Sequence, residues 1–225
     1  MNPCILIPVY NEFKAVGRLV ESLKKKNFDV VVVDDGSRDQ SGLMAKEKGA
    51  VVLAHEQNKG KGRSLQDGFD YILKQQKYDC VITLDGDGQH DIEDIDRFLS
   101  KAQEYPRSIV TGNRMANPQG MPRVRFFTNQ FMSAMISFLC KQKIPDTQCG
   151  FRLISCDVLK ELKLTSSDFQ IETEVLIKAN KKGYKIYSVA IKTIYRDEDS
   201  KINPLVDTFR FIIYITKEIF FFKDR

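Results

Sequence analysis

The stretch Val81-Ile82-Thr83-Leu84-Asp85-Gly86-Asp87-Gly88-Gln89-His90 decides how the chain is read. Val81, Ile82 and Leu84 are apolar and mostly β-branched, the composition of a strand covered on both faces. The run then breaks into glycines and acids. Residues two apart on an extended chain point the same way, so Asp85 and Asp87 can address one target while Gly86 leaves room for its approach. Two carboxylates so close repel unless a cation or hydrogen-bond donors stand between them. A divalent ion carrying a diphosphate meets that need, because hard cations take one or two carboxylates together with phosphate oxygens. A surface turn is the competing interpretation, since Asp-Gly is common turn chemistry.

Working outward, the chain has 225 residues, enough for one large α/β domain or a domain with a tail. Hydrophobic residues make up 42% and charged residues 29%, the balance of a water-soluble globular protein. The net charge of +5 permits attraction to phosphates or an anionic membrane without demonstrating it. Lysines are dispersed, so nucleic acid is not an expected partner. The five cysteines include no Cys-x-x-Cys pair, and His55 and His90 are the only histidines, which argues against a structural zinc site. Cys4 and Cys80 lie in strand-like runs and are expected as buried thiols in a reducing compartment. No basic-then-apolar opening segment suggests a signal peptide, and no apolar run reaches the roughly 18 residues of a membrane span.

Strand and helix patterns alternate from the start. Cys4 to Val9 is a first strand and Val30 to Val33 a second, with a helix over 13–26 between them. A helix over 41–48 and a strand over 51–54 follow. The basic loop Asn58-Lys59-Gly60-Lys61-Gly62 opens a helix that carries Leu65, Phe69 and Ile72. After the Asp85 strand come a helix over 94–104 and a strand at Ile109-Val110. This alternation predicts βαβ units and a parallel sheet, whose ligands bind at the carboxyl ends of the strands. Four polar motifs fall at those ends: Pro8-Val9-Tyr10-Asn11-Glu12, Val33-Asp34-Asp35-Gly36-Ser37, the Asp85 to Gln89 segment, and Thr111-Gly112-Asn113-Arg114. Singly, Tyr10 reads as a half-buried ring, Asp35 as a helix cap and Arg114 as a solvated charge. Four on one sheet edge read as a site.

Together with Asp146-Thr147-Gln148-Cys149-Gly150-Phe151-Arg152, Gln170-Ile171-Glu172-Thr173-Glu174, and Arg196 through Ser200-Lys201, these motifs resemble the inverting family 2 glycosyltransferases of GT-A fold. Among them the chain is most similar to the dolichyl- and polyprenyl-phosphate mannose (hexose) synthases. The resemblance spans about residues 3–201. It implies an α/β fold with a Rossmann-like, mostly parallel central sheet flanked by helices. A transferase domain is expected over 1–202 and an amphipathic helix over 203–225. It also implies that Pro8, Tyr10, Glu12, Val33 and Asp35 hold the base and ribose of a nucleotide-sugar. Asp85, Gly86, Asp87 and Gln89 would then serve the ribose, metal and diphosphate. Asp87, aided by Asp85, would bind Mg²⁺ or Mn²⁺, and Arg114, Arg196 and Lys201 would face phosphates. Where the family often has Ala between the two acids, this chain has Gly86.

The chemistry suits these residue types. Charge grows on a departing nucleoside diphosphate, and a metal with basic side chains stabilises it. A lipid-phosphate acceptor is already anionic and needs no base; Arg123 and Arg125 are its expected partners, because guanidinium matches phosphate geometry. A hydroxyl acceptor of a cell-surface glycan needs a base, for which Asp146 is the candidate beside its alternative as a loop cap after Pro145. Asp87, Asp146 and Arg114 are thus the expected catalytic set. Phe126 to Leu139, preceded by Arg123 and Arg125, reads as a basic-flanked amphipathic helix on lipid headgroups or as a core helix. The helix opening at Asn203-Pro204 has a narrow polar stripe and a wide apolar face, suited to a membrane surface or a homodimer contact. A protein on the cytoplasmic face of a membrane is expected. A sugar-phosphate nucleotidyltransferase would need a Gly-rich loop after the first strand, which is lacking. A non-catalytic nucleotide-sugar-binding subunit would usually have lost one of Asp35, Asp85 and Asp87.

Overall fold

A computed structural model describes residues 1–192 and Ile215. The expected helix over 203–225, Arg196 and Lys201 therefore lie outside the described residues, Ile215 excepted.

Seven strands form one sheet in the order β3-β2-β1-β4-β6-β5-β7. They are β1 (Pro3–Val9), β2 (Asp29–Asp34), β3 (Val51–Ala54), β4 (Cys80–Thr83), β5 (Ile109–Asn113), β6 (Arg152–Ser155) and β7 (Ile186–Ala190). All pairings are parallel except those of β6, which runs against both β4 and β5. The mostly parallel sheet expected from the alternating pattern is thus present, with one reversed strand inside it.

Each buried strand is apolar on both faces because helices cover both. Ile5, Ile7 and Val9 of β1 pack with Val16, Leu19, Val20 and Leu23 of α1 (Phe13–Lys25), and with Ile95 and Phe98 of α4 (Ile95–Glu104). Cys4 and Leu6 point the other way. Their neighbours are Leu65, Phe69 and Ile72 of α3 (Lys61–Lys74) and helices α5 (Arg123–Leu139), α6 (Cys156–Glu161) and α7 (Ile171–Lys181). Ile215 is buried in this second cluster. Burial of each such aliphatic side chain contributes about 1.5–3 kcal/mol. Gly68 of α3 lets the helix sit on β1, since a Cβ there would lie 2.3 Å from a Leu6 methyl. The short α2 (Ser41–Glu47) completes the first layer.

The helix expected from residue 126 begins at Arg123 instead, directly after Pro122, whose carbonyl accepts the Phe126 N–H. The four polar motifs leave the carboxyl ends of β1, β2, β4 and β5 on the same edge of the sheet. Reversal of β6 brings its amino end, and the Asp146–Phe151 segment before it, to that edge as well. All five cysteines are buried free thiols.

Candidate active site

The first two strand ends are laced together before any ligand is considered. Asn11 has a left-handed φ of 56°. Its N–H donates to Ser37 Oγ at 3.0 Å, and its side-chain oxygen accepts the Arg38 N–H at 2.8 Å. The Glu12 N–H donates to Ser41 Oγ at 2.8 Å. Asp35, at the end of β2, is buried with both oxygens accepting. Oδ1 takes the Lys59 N–H at 2.9 Å and lies 2.7 Å from His55 Nδ1, and Oδ2 takes the Gly60 N–H at 2.9 Å. His55 Nε2 lies 3.0 Å from Asp67. Asp35 therefore anchors the Asn58–Gly60 loop, and Gly60 (φ 92°) passes where no Cβ fits beside the Ser167 carbonyl. Pro8, Tyr10 and Glu12 are half-buried beside it, whereas Val33 is fully buried and can offer a ligand only backbone atoms.

Asp85 is the centre of the edge. Its Oδ1 is 2.6 Å from Lys61 Nζ, and the same ammonium is 2.6 Å from Glu172 Oε1 at the start of α7. Asp85 Oδ2 is 3.0 Å from His90 Nε2. Burial alone would raise the Asp85 carboxyl, but the Lys61 charge and then His90 outweigh it and hold it well below the ordinary carboxylate range. Burial would likewise lower the Lys61 ammonium, and Asp85 and Glu172 reverse the sign. Gly150 makes room for this arrangement, because a Cβ there would stand 2.6 Å from both Asp85 oxygens.

Asp87 behaves oppositely. Burial, and after it the neighbouring Asp85 charge, push its carboxyl up. Among the described residues it accepts one hydrogen bond, from the Gln89 N–H at 2.9 Å. The two acids are thus unequal: Asp85 pairs with Lys61 and His90, and Asp87 has no cationic hydrogen-bond partner among the described residues. A divalent ion fits this donor set. No group of three or more His, Cys, Asp or Glu side chains gathers as ligands among the described residues. One carboxylate completed by diphosphate oxygens and water is the usual arrangement for such an ion.

Arg114 and Asp146 form a buried fork. Arg114 Nε donates to Asp146 Oδ2 at 2.8 Å, its Nη2 to Oδ1 at 2.9 Å, and its backbone N–H to Oδ2 at 3.1 Å. The Gln148 N–H adds another bond to Asp146 Oδ1. Burial opposes ionisation of Asp146, yet Arg114 outweighs it and lowers the carboxyl. As placed, Asp146 is a fully buried counter-ion rather than an open base. The Arg114 fork is spent on it rather than turned to a phosphate. Arg123 and Arg125 stand apart, exposed and half-buried at the first turn of α5.

Lys61, Glu172 and His90 are site residues to which the sequence reading gave no role. The sequence signal for His90 is its position directly after Gln89. The His90 Nδ1 is buried without a hydrogen-bond partner among the described residues. Arg152 is also buried and spans the site from below, donating to the carbonyls of Cys149 (2.8 Å), Thr147 (2.8 Å) and Glu172.

The chain is similar to known proteins in sequence and in fold. A family model described as glycosyl transferase family 2 matches residues 4–163. The UDP-N-acetylglucosamine–dolichyl-phosphate N-acetylglucosaminyltransferase of Methanococcus voltae is 31% identical over 216 residues, covering 86% of each chain. A dolichyl-phosphate beta-glucosyltransferase of Dictyostelium discoideum is 27% identical, with 89% of this chain and 68% of the relative covered. The fold is shared with glucosyl-3-phosphoglycerate synthase of Mycobacterium tuberculosis, solved with Mn²⁺, UDP and phosphoglyceric acid. That likeness has a TM-score of 0.67 at 19% identity, covering 88% of this chain and 72% of the other.

Proposed function

The chain belongs to glycosyl transferase family 2 and has a GT-A fold, and from that premise we propose that it moves a hexose from a GDP- or UDP-sugar to a polyprenyl phosphate with inversion. The observation that carries this reading is the inequality of Asp85 and Asp87 at the exit of β4. One carboxylate pairs with Lys61 and His90, and the other accepts only the Gln89 N–H among the described residues. Relatives named for dolichyl-phosphate acceptors support the acceptor class.

In this mechanism Pro8, Tyr10, Glu12, the Val33 backbone and Asp35 border the base and ribose. Asp35 contributes through the loop it fixes. Asp85, Gly86 and Gln89 border the ribose and diphosphate. Asp87 would hold Mg²⁺ or Mn²⁺, which when bound neutralises charge on the departing diphosphate. Lys61 keeps Asp85 ionised and in place. An anionic oxygen of the acceptor phosphate forms the bond to the anomeric carbon from the opposite face. The bond from that carbon to the diphosphate breaks, and its electron pair leaves with the nucleoside diphosphate. No proton is removed, so no base is needed, in keeping with the buried pairing of Asp146. Arg123 and Arg125 would neutralise the acceptor phosphate so that two anions can approach. Arg196 and Lys201 are proposed for the donor phosphates. No described helix is long and apolar enough to cross a membrane, and we place the enzyme peripherally on its cytoplasmic face.

Incubation with a panel of nucleotide-sugars, Mg²⁺ or Mn²⁺ and a polyprenyl phosphate in detergent, read by mass spectrometry, tests the proposal. A glycosyl phospholipid of inverted configuration is expected. Transfer only to a hydroxyl acceptor would overturn it.

A further inference from the structure

Helix α5 buries Asn129, Met132, Ser133 and Ile136 and turns a different set of residues outward. Val124, Phe127, Phe131, Ala134 and Phe138 recur at alternating three- and four-residue spacing, which places them on one face. All five are exposed, the four larger ones from 53% at Phe131 to 83% at Phe138. Isolated exposed apolar residues need no explanation, but a stripe along a whole helix does. The stripe is flanked by charge of one sign. Arg123 and Arg125 stand at its amino end, Lys141 and Lys143 just beyond its carboxyl end, and residues 121–145 contain no Asp or Glu.

We propose that this face of α5 is a docking surface for a membrane containing anionic lipid. Apolar side chains enter the acyl boundary while the basic ends meet headgroups, the arrangement of a helix lying in the interface plane. At 1.5 Å per residue the helix is about 25 Å long, and its apolar face runs the full length, which suits lying flat. A second copy of the chain fits less well. Joined across a two-fold axis, the same face would bring the basic ends of both copies together with no acid in the segment to balance them.

The buried side of α5 ties this surface to the site. Ser133 Oγ accepts the Thr147 N–H at 2.9 Å, and Ser137 Oγ accepts the Ile144 N–H at 2.9 Å. These bonds straddle Asp146, the partner of Arg114. Docking of α5 therefore sets the active edge against the lipid that, on the reading above, contains the acceptor. The inference rests on that reading only in this last step; lipid binding itself does not require it.

The experiment is co-sedimentation of the full chain with vesicles of phosphatidylcholine alone or mixed with phosphatidylglycerol. It compares intact protein with the triple variant Phe127→Ser, Phe131→Ser and Phe138→Ser. Binding to the anionic vesicles is expected, weaker by at least about tenfold in the variant, with unchanged transfer to lipid phosphate in detergent. Should the variant fold poorly, a Phe138→Cys protein carrying an environment-sensitive dye must shift to the blue on anionic vesicles. Equal binding by variant and intact protein, no binding by either, or an unshifted dye overturns the surface. So does a dimer that disappears in the variant without lipid. If vesicles bind but no lipid phosphate is glycosylated in detergent, the surface stands and the reaction proposed above falls.

Discussion

The Lys61 ammonium lies 2.6 Å from Asp85 Oδ1, joining the first residue of α3 to the exit of β4. A buried cation between two acids is a strong positioning element and a costly one to cut, because a lone partner is left charged and desolvated.

Replacing Lys61 by Met should therefore lower both stability and turnover. Loss of the cation leaves Asp85 facing Glu172 across the gap, at a cost of about 3–5 kcal/mol. Turnover should drop on the order of 10²-fold, as when a key electrostatic group is removed. Lys61→Arg should recover part of the stability. Thermal melts paired with donor hydrolysis rates check this; a Lys61→Met protein with native melt and rate would exclude the clamp.

Asp85→Asn and Asp87→Asn should move stability in opposite directions in metal-free protein at neutral pH. The Asp85 carboxyl is held below its ordinary value, so its contribution is present above the unfolded value near 3.9 and lost as pH falls through the folded one. The Asp87 carboxyl is raised, so its ionisation costs stability once pH rises through the folded value. Asp87→Asn should thus raise the melting temperature by about 2–4 °C, the equivalent of roughly 1 kcal/mol at this size. Asp85→Asn should lower it. The same Asp87→Asn protein should lose on the order of 10²-fold in turnover and show no extra stabilisation by metal with nucleoside diphosphate. Melts across pH with and without Mn²⁺ decide, and equal signs for the two variants would refute the inequality of the pair.

Asp146→Asn separates a buried counter-ion from a base. A counter-ion loss strands the Arg114 guanidinium and should cost about 3–5 kcal/mol. That penalty should shrink as pH falls through the lowered Asp146 value, since the native protein then loses the same charge. A variant with native stability and no activity would restore the base role.

The two glycines around Asp85 should differ. Gly150→Ala places a methyl 2.6 Å from both Asp85 oxygens and should cost about 1–3 kcal/mol together with most activity. Gly86→Ala meets a Val9 methyl at 3.1 Å, the Pro8 carbonyl at 3.2 Å and Glu12 Cγ at 3.5 Å, none of them an Asp85 oxygen, and should keep turnover near the native rate. Side-by-side kinetics of the two proteins provide the check.

Much of this arrangement can be read from the residues alone. Strands β1, β2 and β4 announce themselves because two-sided burial demands uninterrupted apolar runs, and the acids after them mark the edge. Helix α7 escaped because Glu172, Thr173 and Glu174 are buried polar residues that blur its period. Strand β6 escaped because it opens with Arg152, whose burial is satisfied by three backbone carbonyls. The Lys61 clamp was out of reach for another reason. Its partners lie 24 and 111 positions away, and no local pattern encodes such pairs.

The reversed strand has one more consequence. Through it the chain leaves the active edge, at which the parallel strands arrive, and the segment leading into it is pinned at several points. Thr83 Oγ1 donates to the Gly150 carbonyl at 2.7 Å, and the Gly112 N–H donates to the Phe151 carbonyl at 2.9 Å. At the other end, Ser133 and Ser137 grip residues 144 and 147. The connector between Cys140 and Gly150 thus acts as a spacer of calibrated length. Its surface side chains can drift freely, but one inserted or deleted residue would slide Gly150 off Asp85 and detune the site from a distance.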